Sequence, residues 1–148
     1  MFQGASSLSL DTKGRLAIPV RHRDALTSDS GGSLALTAHP HGCLLVYPVS
    51  AWTSIRETLN TVPSLDPQTA RYKRLLIGYA EEVQLDAAGR VLVSPELRRY
   101  ARLDRQVWLV GQGNGFELWS DADWQREREA ASALAGQAPP PGLENLVL

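Results

Sequence analysis

The sequence predicts a small α+β protein, in which a mixed β-barrel with pseudo-twofold internal symmetry carries its helices on the outside. The stretch LDTKGRLAI at residues 10–18 recurs as LDAAGRVLV at residues 85–93, 75 residues further along the chain. In the same order, GCLLVYPVSAW at 42–52 is followed by GFELWSDADW at 115–124. A half with about 50 structured residues buries too little apolar surface to be stable alone. We therefore expect the two halves to complete one barrel, and we expect the chain to form oligomers.

The elements of the first half follow from its hydrophobic pattern. Leucines alternate with a serine over residues 8–10, which predicts a half-buried strand, and Leu16 and Ile18 predict a return strand after the turn. Pro19 ends that strand because proline has no amide hydrogen to donate to a sheet. The pattern then predicts a short helix over 21–26, strands over 34–38 and 44–47, and a helix capped by Ser50 that carries Trp52, Ile55 and Leu59 on one face.

The second half repeats this order. Val83 and Leu85 precede its turn, and Val91 and Val93 follow it. The pattern predicts a return strand ended by Pro95, a helix over 96–101, strands over 107–111 and 116–119, and a helix capped by Ser120. The first half has about three more residues between its two matching blocks, and we expect SDSGGS at 28–33 to hold them.

The segment between the halves predicts one more helix. Asp66 and Pro67 are typical of a helix start, since proline is favoured at the first helical position. Tyr72, Leu75, Leu76 and Tyr79 would share one face of it. We therefore predict a first half at 1–61, a connecting helix at 62–78, a second half at 79–135 and a flexible tail, GQAPPPGLENLVL, at 136–148.

Composition and charge narrow the class of protein. The 148 residues are 43% hydrophobic and 21% charged, as in globular proteins, and no apolar run approaches the roughly 18–20 residues that span a bilayer. The first residues lack the basic and apolar regions of a signal peptide, and the single Cys43 fits a reducing compartment. We expect a cytoplasmic protein without a membrane partner. Although the net charge is −1, basic residues cluster at 13–23, 71–74 and 90–105, which is compatible with one basic face.

The geometry of a turn accounts for the aspartate and the glycine of the repeated stretch, but it does not account for the arginine. Aspartate can accept backbone hydrogen bonds within a turn, and glycine adopts a positive φ without a clash. Arg15 and Arg90 follow the glycine in both copies, where a turn does not require arginine. One interpretation is that Asp11 and Asp86 orient the two guanidinium groups by charge-assisted hydrogen bonds and leave other donors free. Such an arginine suits a phosphate or the edge of a guanine.

Several stretches together resemble the MraZ regulators of the AbrB-like (SpoVT-AbrB) superfamily. The resemblance covers residues 1–27, 79–104 and 113–124, and its carrying residues are Met1-Phe2, Gly4, LDTKGRLAIP, LDAAGRVLV and GFELWSDADW. It implies two tandem AbrB-type halves folded as a swapped-hairpin-like barrel. It also implies ring-shaped homo-oligomers that bind repeated short boxes in double-stranded DNA upstream of the division and cell-wall gene cluster. The protein would then be a transcriptional regulator, a repressor located in the cytoplasm with the nucleoid.

The resemblance also implies which positions face DNA. Carried over by motif, these are Asp11, Lys13, Arg15, Asp86 and Arg90, and the neighbouring Thr12, Arg21 and Arg23 are further candidate contacts. Ala87 and Ala88 replace Thr12 and Lys13 in the second turn, so the first turn should contribute more charge. Ser94 stands where the family commonly has proline. A few phosphate contacts bind weakly and with strong salt dependence, so a ring of such turns would depend on avidity.

Three other functions compete with this interpretation. His39, His41 and Cys43 could share one face of a strand as a metal site, but no fourth ligand is evident, Pro40 and Gly42 favour a turn, and we predict no metal or cofactor. Nucleophilic catalysis would need a base beside a nucleophile, and the spacing of Ser7, Ser9, His22 and Asp24 matches no enzyme motif. We predict neither an enzyme nor a small-molecule substrate. An antitoxin-like interaction module, acting through the acidic C-terminal helix, remains the alternative.

The aromatic residues have a simpler interpretation than base stacking. Trp52, Trp108, Trp119 and Trp124 all fall at positions where core or helix-packing residues are expected. Stacking platforms for single-stranded nucleic acid would need exposed rings. We therefore predict that the tryptophans pack inside the protein.

Overall fold

Strands and helices follow each other in the same order in both halves of the chain, and the computed structural model describes all residues from 1 to 148. The strands are β1 (Ala5–Ser9), β2 (Arg15–Ala17), β3 (Ser33–Ala38), β4 (Leu44–Pro48), β5 (Glu81–Gln84), β6 (Arg90–Leu92), β7 (Gln106–Gly111) and β8 (Phe116–Ser120). The helices are α1 (Val20–Ser30), α2 (Val49–Thr61), α3 (Pro67–Leu76), α4 (Pro95–Tyr100) and α5 (Asp121–Ala131), followed by a 3₁₀ turn at Ser132–Leu134. The predicted α+β class is confirmed.

The strands form one large antiparallel sheet and one small ribbon. Six strands are ordered β1-β7-β8-β4-β3-β5, and β2 pairs only with β6. The hydrogen-bonded ladder does not close, so the barrel that the sequence predicted is incomplete. The reason is that β2 and β6 have three residues each and pair with each other, so that neither continues the ladder from the edge strands β1 and β5.

The two halves are interleaved rather than placed side by side. β1 of the first half pairs with β7 of the second, and β5 of the second half pairs with β3 of the first. β4 and β8 then join the halves at the centre of the sheet. Each half therefore lends its first strand to the other, which is the swapped arrangement that the resemblance implies. Across the first turn, strand pairing is limited to a single bridge between Leu10 and Leu16, so the turn links two sheets rather than closing a long hairpin.

Both halves contribute to one hydrophobic core. Its buried members include Leu16 and Val91 under the ribbon and Phe116 at the centre of the sheet. Trp52 is buried in α2, and Trp119 packs with Cys43 and Val110 in a second, smaller cluster on the other face of the sheet. Trp108 and Trp124 are partly buried against that cluster. Trp52 and Trp119 are thus buried as their periodic placement predicted, whereas Trp108 and Trp124 pack against the protein with part of their surface exposed.

The helix start predicted at Asp66 is observed, whereas the end predicted for α1 is not. The carboxylate of Asp66 accepts from the Thr69 amide at 3.0 Å and begins α3 as predicted. Helix α1 was predicted to end at residue 26 but runs to Ser30, where Gly31 terminates it at φ +61°. The serines and aspartate of its last turn had indicated a loop because these residues often form turns.

None of the helices has both the length and the apolar character needed to cross a bilayer.

The two predicted serine caps differ in the structure, and this gives a first prediction. Ser120 Oγ accepts from the Asp123 amide at 3.0 Å, whereas Ser50 lies inside α2, whose cap position is Pro48. Replacing Ser120 with alanine should lower the free energy of unfolding by about 1 kcal/mol because an orphan amide is left without its acceptor. Ser50→Ala is the matched control and should change it by less than about 0.5 kcal/mol in urea titrations. Equal losses in both variants would contradict this assignment.

Candidate nucleic-acid interface

The first turn holds its arginine through one aspartate. Asp11 Oδ1 accepts hydrogen bonds from the backbone N–H groups of Lys13, at 2.9 Å, and Arg15, at 2.8 Å. Asp11 Oδ2 accepts a third hydrogen bond, from Nε of Arg15 at 2.6 Å. Gly14 completes the turn at φ +82°, a left-handed conformation that glycine adopts without a clash. The aspartate therefore shapes the turn and also orients the guanidinium group.

The second turn has the same geometry, although alanines replace two of its side chains. Asp86 Oδ1 accepts from the backbone N–H groups of Ala88, at 2.9 Å, and Arg90, at 2.8 Å, and Oδ2 accepts from Nε of Arg90 at 2.9 Å. Gly89 has φ +75°. The alanines leave the turn intact because the hydrogen bonds to Asp86 come from backbone groups and from Arg90. The expected hydrogen bond between aspartate and arginine is thus present in both turns.

Both guanidinium groups keep donors free for a ligand. Each uses Nε to bind its aspartate, and no protein group accepts a hydrogen bond from the Nη atoms of Arg15 or Arg90. The side chains are 31% and 36% exposed, so neither arginine is enclosed by the protein. Free Nη donors on an oriented guanidinium match the spacing of two acceptors on a phosphate or on the edge of a guanine.

The same contacts keep the two aspartates ionised. The backbone N–H of Arg15 lowers the pKa of Asp11 to about 2, with smaller contributions from the Arg15 side chain and the Lys13 amide. The corresponding bonds from Arg90 lower the pKa of Asp86. Hydrogen bonds to a charged carboxylate favour that charged form. Both turns therefore hold a carboxylate that keeps its arginine in place at neutral pH.

A carboxyl-detected NMR titration gives the second prediction. Asp11 should titrate near pH 2 in the folded protein, and the turn should lose stability as the pH falls from about 4 towards 2, because a depressed carboxyl pKa stabilises the fold only above that range. In Arg15→Ala the pKa of Asp11 should rise but stay below its ordinary value, since the two backbone donors remain. A midpoint near 4 in the unchanged protein would show that these hydrogen bonds are not formed in solution.

The β2–β6 ribbon brings the two arginines onto one face. Arg15 lies opposite Leu92, and Ala17 lies opposite Arg90, while the central pair Leu16 and Val91 is buried. Arg15 and Arg90 are therefore diagonal neighbours, with Cα atoms roughly 7–8 Å apart by the standard geometry of such pairs. The strands are antiparallel, so the two turns lie at opposite ends of the ribbon while their arginines share its outer face. Leu92 is 51% exposed beside them, an apolar group that the sequence analysis did not select.

Two further arginines brace the turns across the halves. Nε of Arg98 donates to the Val93 carbonyl at 3.0 Å. The Arg98 guanidinium also lies against Gly14, since a Cβ on that glycine would be only 2.8 Å from it. Arg23 repeats this contact in the other direction, since its Nε donates to the Ile18 carbonyl at 2.7 Å and its side chain covers Gly89. Each turn is therefore packed under an arginine from the opposite half. Arg98 was not among the residues predicted from the sequence, although it lies 75 residues after Arg23, the same offset as the turns.

The remaining predicted residues lie around this ribbon in different roles. Lys13 and Thr12 are exposed on the first turn. Thr12 and Arg98 line a cleft of about 530 Å³ together with Arg105, whereas the cleft of about 280 Å³ at the second turn contains Arg23 as its only basic residue. Arg21 points towards the edge of the large sheet, where its Nη2 donates to Ser6 Oγ at 2.7 Å. The first turn therefore has more cationic side chains around it than the second.

One group of potential metal ligands lies elsewhere. The structure brings His39, Cys43 and Glu117 within 4.8 Å of one another, so the histidine and cysteine noted in the sequence acquire an acidic neighbour from β8. His41 is not part of this group. Burial raises the pKa of the Cys43 thiol, and the nearby Glu117 carboxylate adds to that effect. The group is separate from the ribbon.

Comparisons with known proteins relate the paired turns to one family. The family model described as "MraZ protein, putative antitoxin-like" matches residues 1–75 and again residues 76–138. Proteins named "Transcriptional regulator MraZ" from Aromatoleum aromaticum, Azoarcus sp. and Dechloromonas aromatica are 63%, 62% and 55% identical to this chain, and each alignment covers 100% of both chains. The relatives are named for the regulation of transcription, a non-enzymatic role, and the two family matches each contain one Asp-x-x-Gly-Arg turn. This chain belongs to the MraZ family.

Proposed function

We propose that this chain is a DNA-binding transcriptional regulator that contacts double-stranded DNA through the outer face of the β2–β6 ribbon. The observation that carries the proposal is the position of Arg15 and Arg90, which share one exposed face with their Nη donors free. The names of the relatives support the regulatory role. Acting on DNA, the protein would work in the cytoplasm, at the nucleoid.

A two-stranded ribbon has dimensions that suit the major groove. The groove of B-DNA is about 12 Å wide and admits a two-stranded antiparallel ribbon. Arg15 and Arg90 would then reach guanine edges or phosphates, and Lys13 would add a phosphate contact beside the first turn. Ala17 and the exposed Leu92 lie on the same face and would meet apolar groups such as thymine methyls. The bracing contacts of Arg23 and Arg98 would limit the movement of the turns, so that the arginines approach DNA already positioned.

One chain offers too few cations to bind DNA tightly. Two arginines and a lysine neutralise few phosphates, and such contacts are weak at physiological salt. We therefore propose that the protein acts as a homo-oligomeric ring, in which neighbouring subunits engage boxes repeated at a regular spacing. Linked contacts of this kind raise the effective concentration of each following one, with gains of order 10² to 10⁴ in affinity. Binding of such a ring across a promoter would make the protein a repressor of the division and cell-wall genes that follow.

The proposal is tested by a gel-shift titration on the DNA immediately upstream of this protein's own reading frame. Retardation should require the repeated boxes, and a duplex of equal length and composition with the boxes scrambled is the control. Removing boxes one at a time should weaken binding stepwise because avidity is lost. Equal affinity for the scrambled duplex would contradict a sequence-specific role.

An antitoxin-like protein-interaction module is the second candidate. It is favoured by the description of the family as antitoxin-like. Gel filtration with light scattering separates the two candidates, because a large ring supports the avid DNA binder and a simple dimer supports the interaction module.

A further inference from the structure

The loop between β3 and β4 carries the second set of chemically notable residues in the chain. His39 and Cys43 lie opposite each other where these strands begin to diverge, since the His39 amide donates to the Cys43 carbonyl at 2.9 Å. Directly opposite residues of an antiparallel pair place their side chains on the same face. On the next strand, Glu117 pairs with Leu45, two residues from Cys43 and so on that face as well. Three elements thus converge on one side of the sheet.

The geometry points to a divalent transition-metal site formed by His39, Cys43 and Glu117, with zinc as the metal that fits best. One ligand atom from each residue lies within 4.8 Å of the others, and His39 Nε2 is 4.0 Å from Glu117 Oε2. Donor atoms around a tetrahedral zinc are closer together than this, so binding would draw the three side chains inwards. A mixed sulfur, nitrogen and oxygen set in tetrahedral geometry favours zinc over magnesium or calcium.

The surroundings of Glu117 provide an independent reason to expect a cation. Its carboxylate is 19% exposed, and no lysine or arginine pairs with it; the ion-pair partner within 4.0 Å is His39. Trp119 Nε1 donates to Glu117 Oε1 at 3.1 Å and so directs Oε2 towards His39. Outer hydrogen bonds of this kind orient metal-binding carboxylates and histidines in known sites. The Tyr100 hydroxyl also donates to the His39 carbonyl at 2.6 Å, which holds the loop in place.

Access is consistent with such a site. The Cys43 side chain is fully buried, but His39 and Glu117 line a cleft of about 550 Å³ through which an ion and a water ligand could enter. Metal binding would displace the thiol proton, because the thiolate is the form of cysteine that coordinates metals. Cys43 and His39 come from the first half and Glu117 from the second, so the ion would cross-link the halves where β4 meets β8.

One hydrogen bond opposes binding and limits the affinity. The His41 amide donates to Nδ1 of His39 at 2.9 Å, which leaves the ring proton on Nε2, the nitrogen that faces Glu117. A metal at Nε2 would require that proton to leave and the tautomer to change, so the His41 amide would lose its acceptor. We therefore expect a site of moderate affinity that responds to the supply of zinc, rather than one that is needed for folding.

The test uses the full chain, kept reduced and stripped of metal with a chelator, and titrated with Co²⁺ as a spectroscopic probe for zinc. We expect a thiolate-to-cobalt charge-transfer band that saturates at one ion per chain, and displacement of cobalt by Zn²⁺. Zn²⁺ should also raise the Tm of the protein, since a ligand that binds only the folded state stabilises it. Absence of the band at millimolar Co²⁺ would overturn the proposal.

Two variants test proposed ligands, and a third is their control. Cys43→Ser should abolish the band, and Glu117→Gln, which keeps an acceptor for the Trp119 indole, should weaken cobalt binding by about tenfold or more. His41→Ala is the matched control, because it removes the adjacent histidine that lies outside the group, and its binding should not weaken. Circular dichroism and the Tm without metal confirm that each variant is folded. Loss of the band in His41→Ala together with unchanged binding in Glu117→Gln would refute the proposed ligand set.

Discussion

Replacement of both Arg15 and Arg90 with alanine is expected to abolish binding to the repeated boxes and to leave the fold intact. Each arginine that contacts a base edge contributes about 1–3 kcal/mol, so each single variant should lose roughly tenfold to a hundredfold in affinity per subunit. The slope of log affinity against log salt should fall by about one for each phosphate contact removed. Because the free-energy losses of two separate contacts add, the losses in affinity should multiply in the double variant. Every subunit of an oligomer would repeat them.

The stability of these variants decides whether the effect is specific. Arg15 and Arg90 are partly exposed, and exposed ion pairs contribute about 0–1 kcal/mol, so the free energy of unfolding should change little. Arg56→Ala removes an exposed arginine from α2, outside the ribbon and both turns, and is the matched control. Wild-type affinity in the double variant, or an equal loss in Arg56→Ala, would show that the ribbon is not part of the DNA interface.

Phe116→Ala is expected to have the largest effect on stability. The ring is almost completely buried and packs against Phe2, with centroids 4.5 Å apart, and against His22 at 4.9 Å. Its backbone belongs to β8, which joins the two halves through β4. Truncating a buried phenylalanine costs about 3–5 kcal/mol through lost burial and the remaining cavity. For a chain of this length, that corresponds to a fall in Tm of roughly 10 °C.

Urea and thermal unfolding at a fixed subunit concentration would measure this loss, since oligomers gain stability with concentration. Leu65→Ala is the matched control because its side chain is 94% exposed, and it should change the free energy of unfolding by less than about 0.5 kcal/mol. A loss below about 1 kcal/mol in Phe116→Ala would mean that the contacts between the first residues and β8 do not hold the halves together.

Local features were predictable because they depend on residues close in the sequence. The strand predicted over 34–38 is Ser33–Ala38, and the helix start at Asp66 is observed together with its side-chain cap. The turn geometry was also predictable, since an aspartate four residues before an arginine can bind both its amide and its Nε. The prediction that Ser50 caps α2 was wrong. The strand before α2 extends through Pro48, which takes the cap position two residues before Ser50.

The candidate site was predictable only in part, for a physical reason. The internal repeat identified Arg15 and Arg90 as equivalent positions. Equivalent positions in two halves need not lie close together in the folded protein, so their proximity could not be predicted. The pairing of Arg15 with Leu92 and of Ala17 with Arg90 is a contact between distant segments, as are the bracing of Gly14 by Arg98 and the approach of Glu117 to Cys43. None of these contacts leaves a periodic signal within a short window of sequence.

The sequence by itself determined the duplicated order of elements, the two arginine turns and the apolar residues of the core, because hydrophobic period and turn chemistry act over a few residues. Only the tertiary structure decided that β1 pairs with β7, that β5 pairs with β3, and that β2 pairs with β6. Two similar halves offer every strand an alternative partner of nearly equal pattern. The choice is made by burial of one shared core, to which each half contributes residues that it could not cover alone.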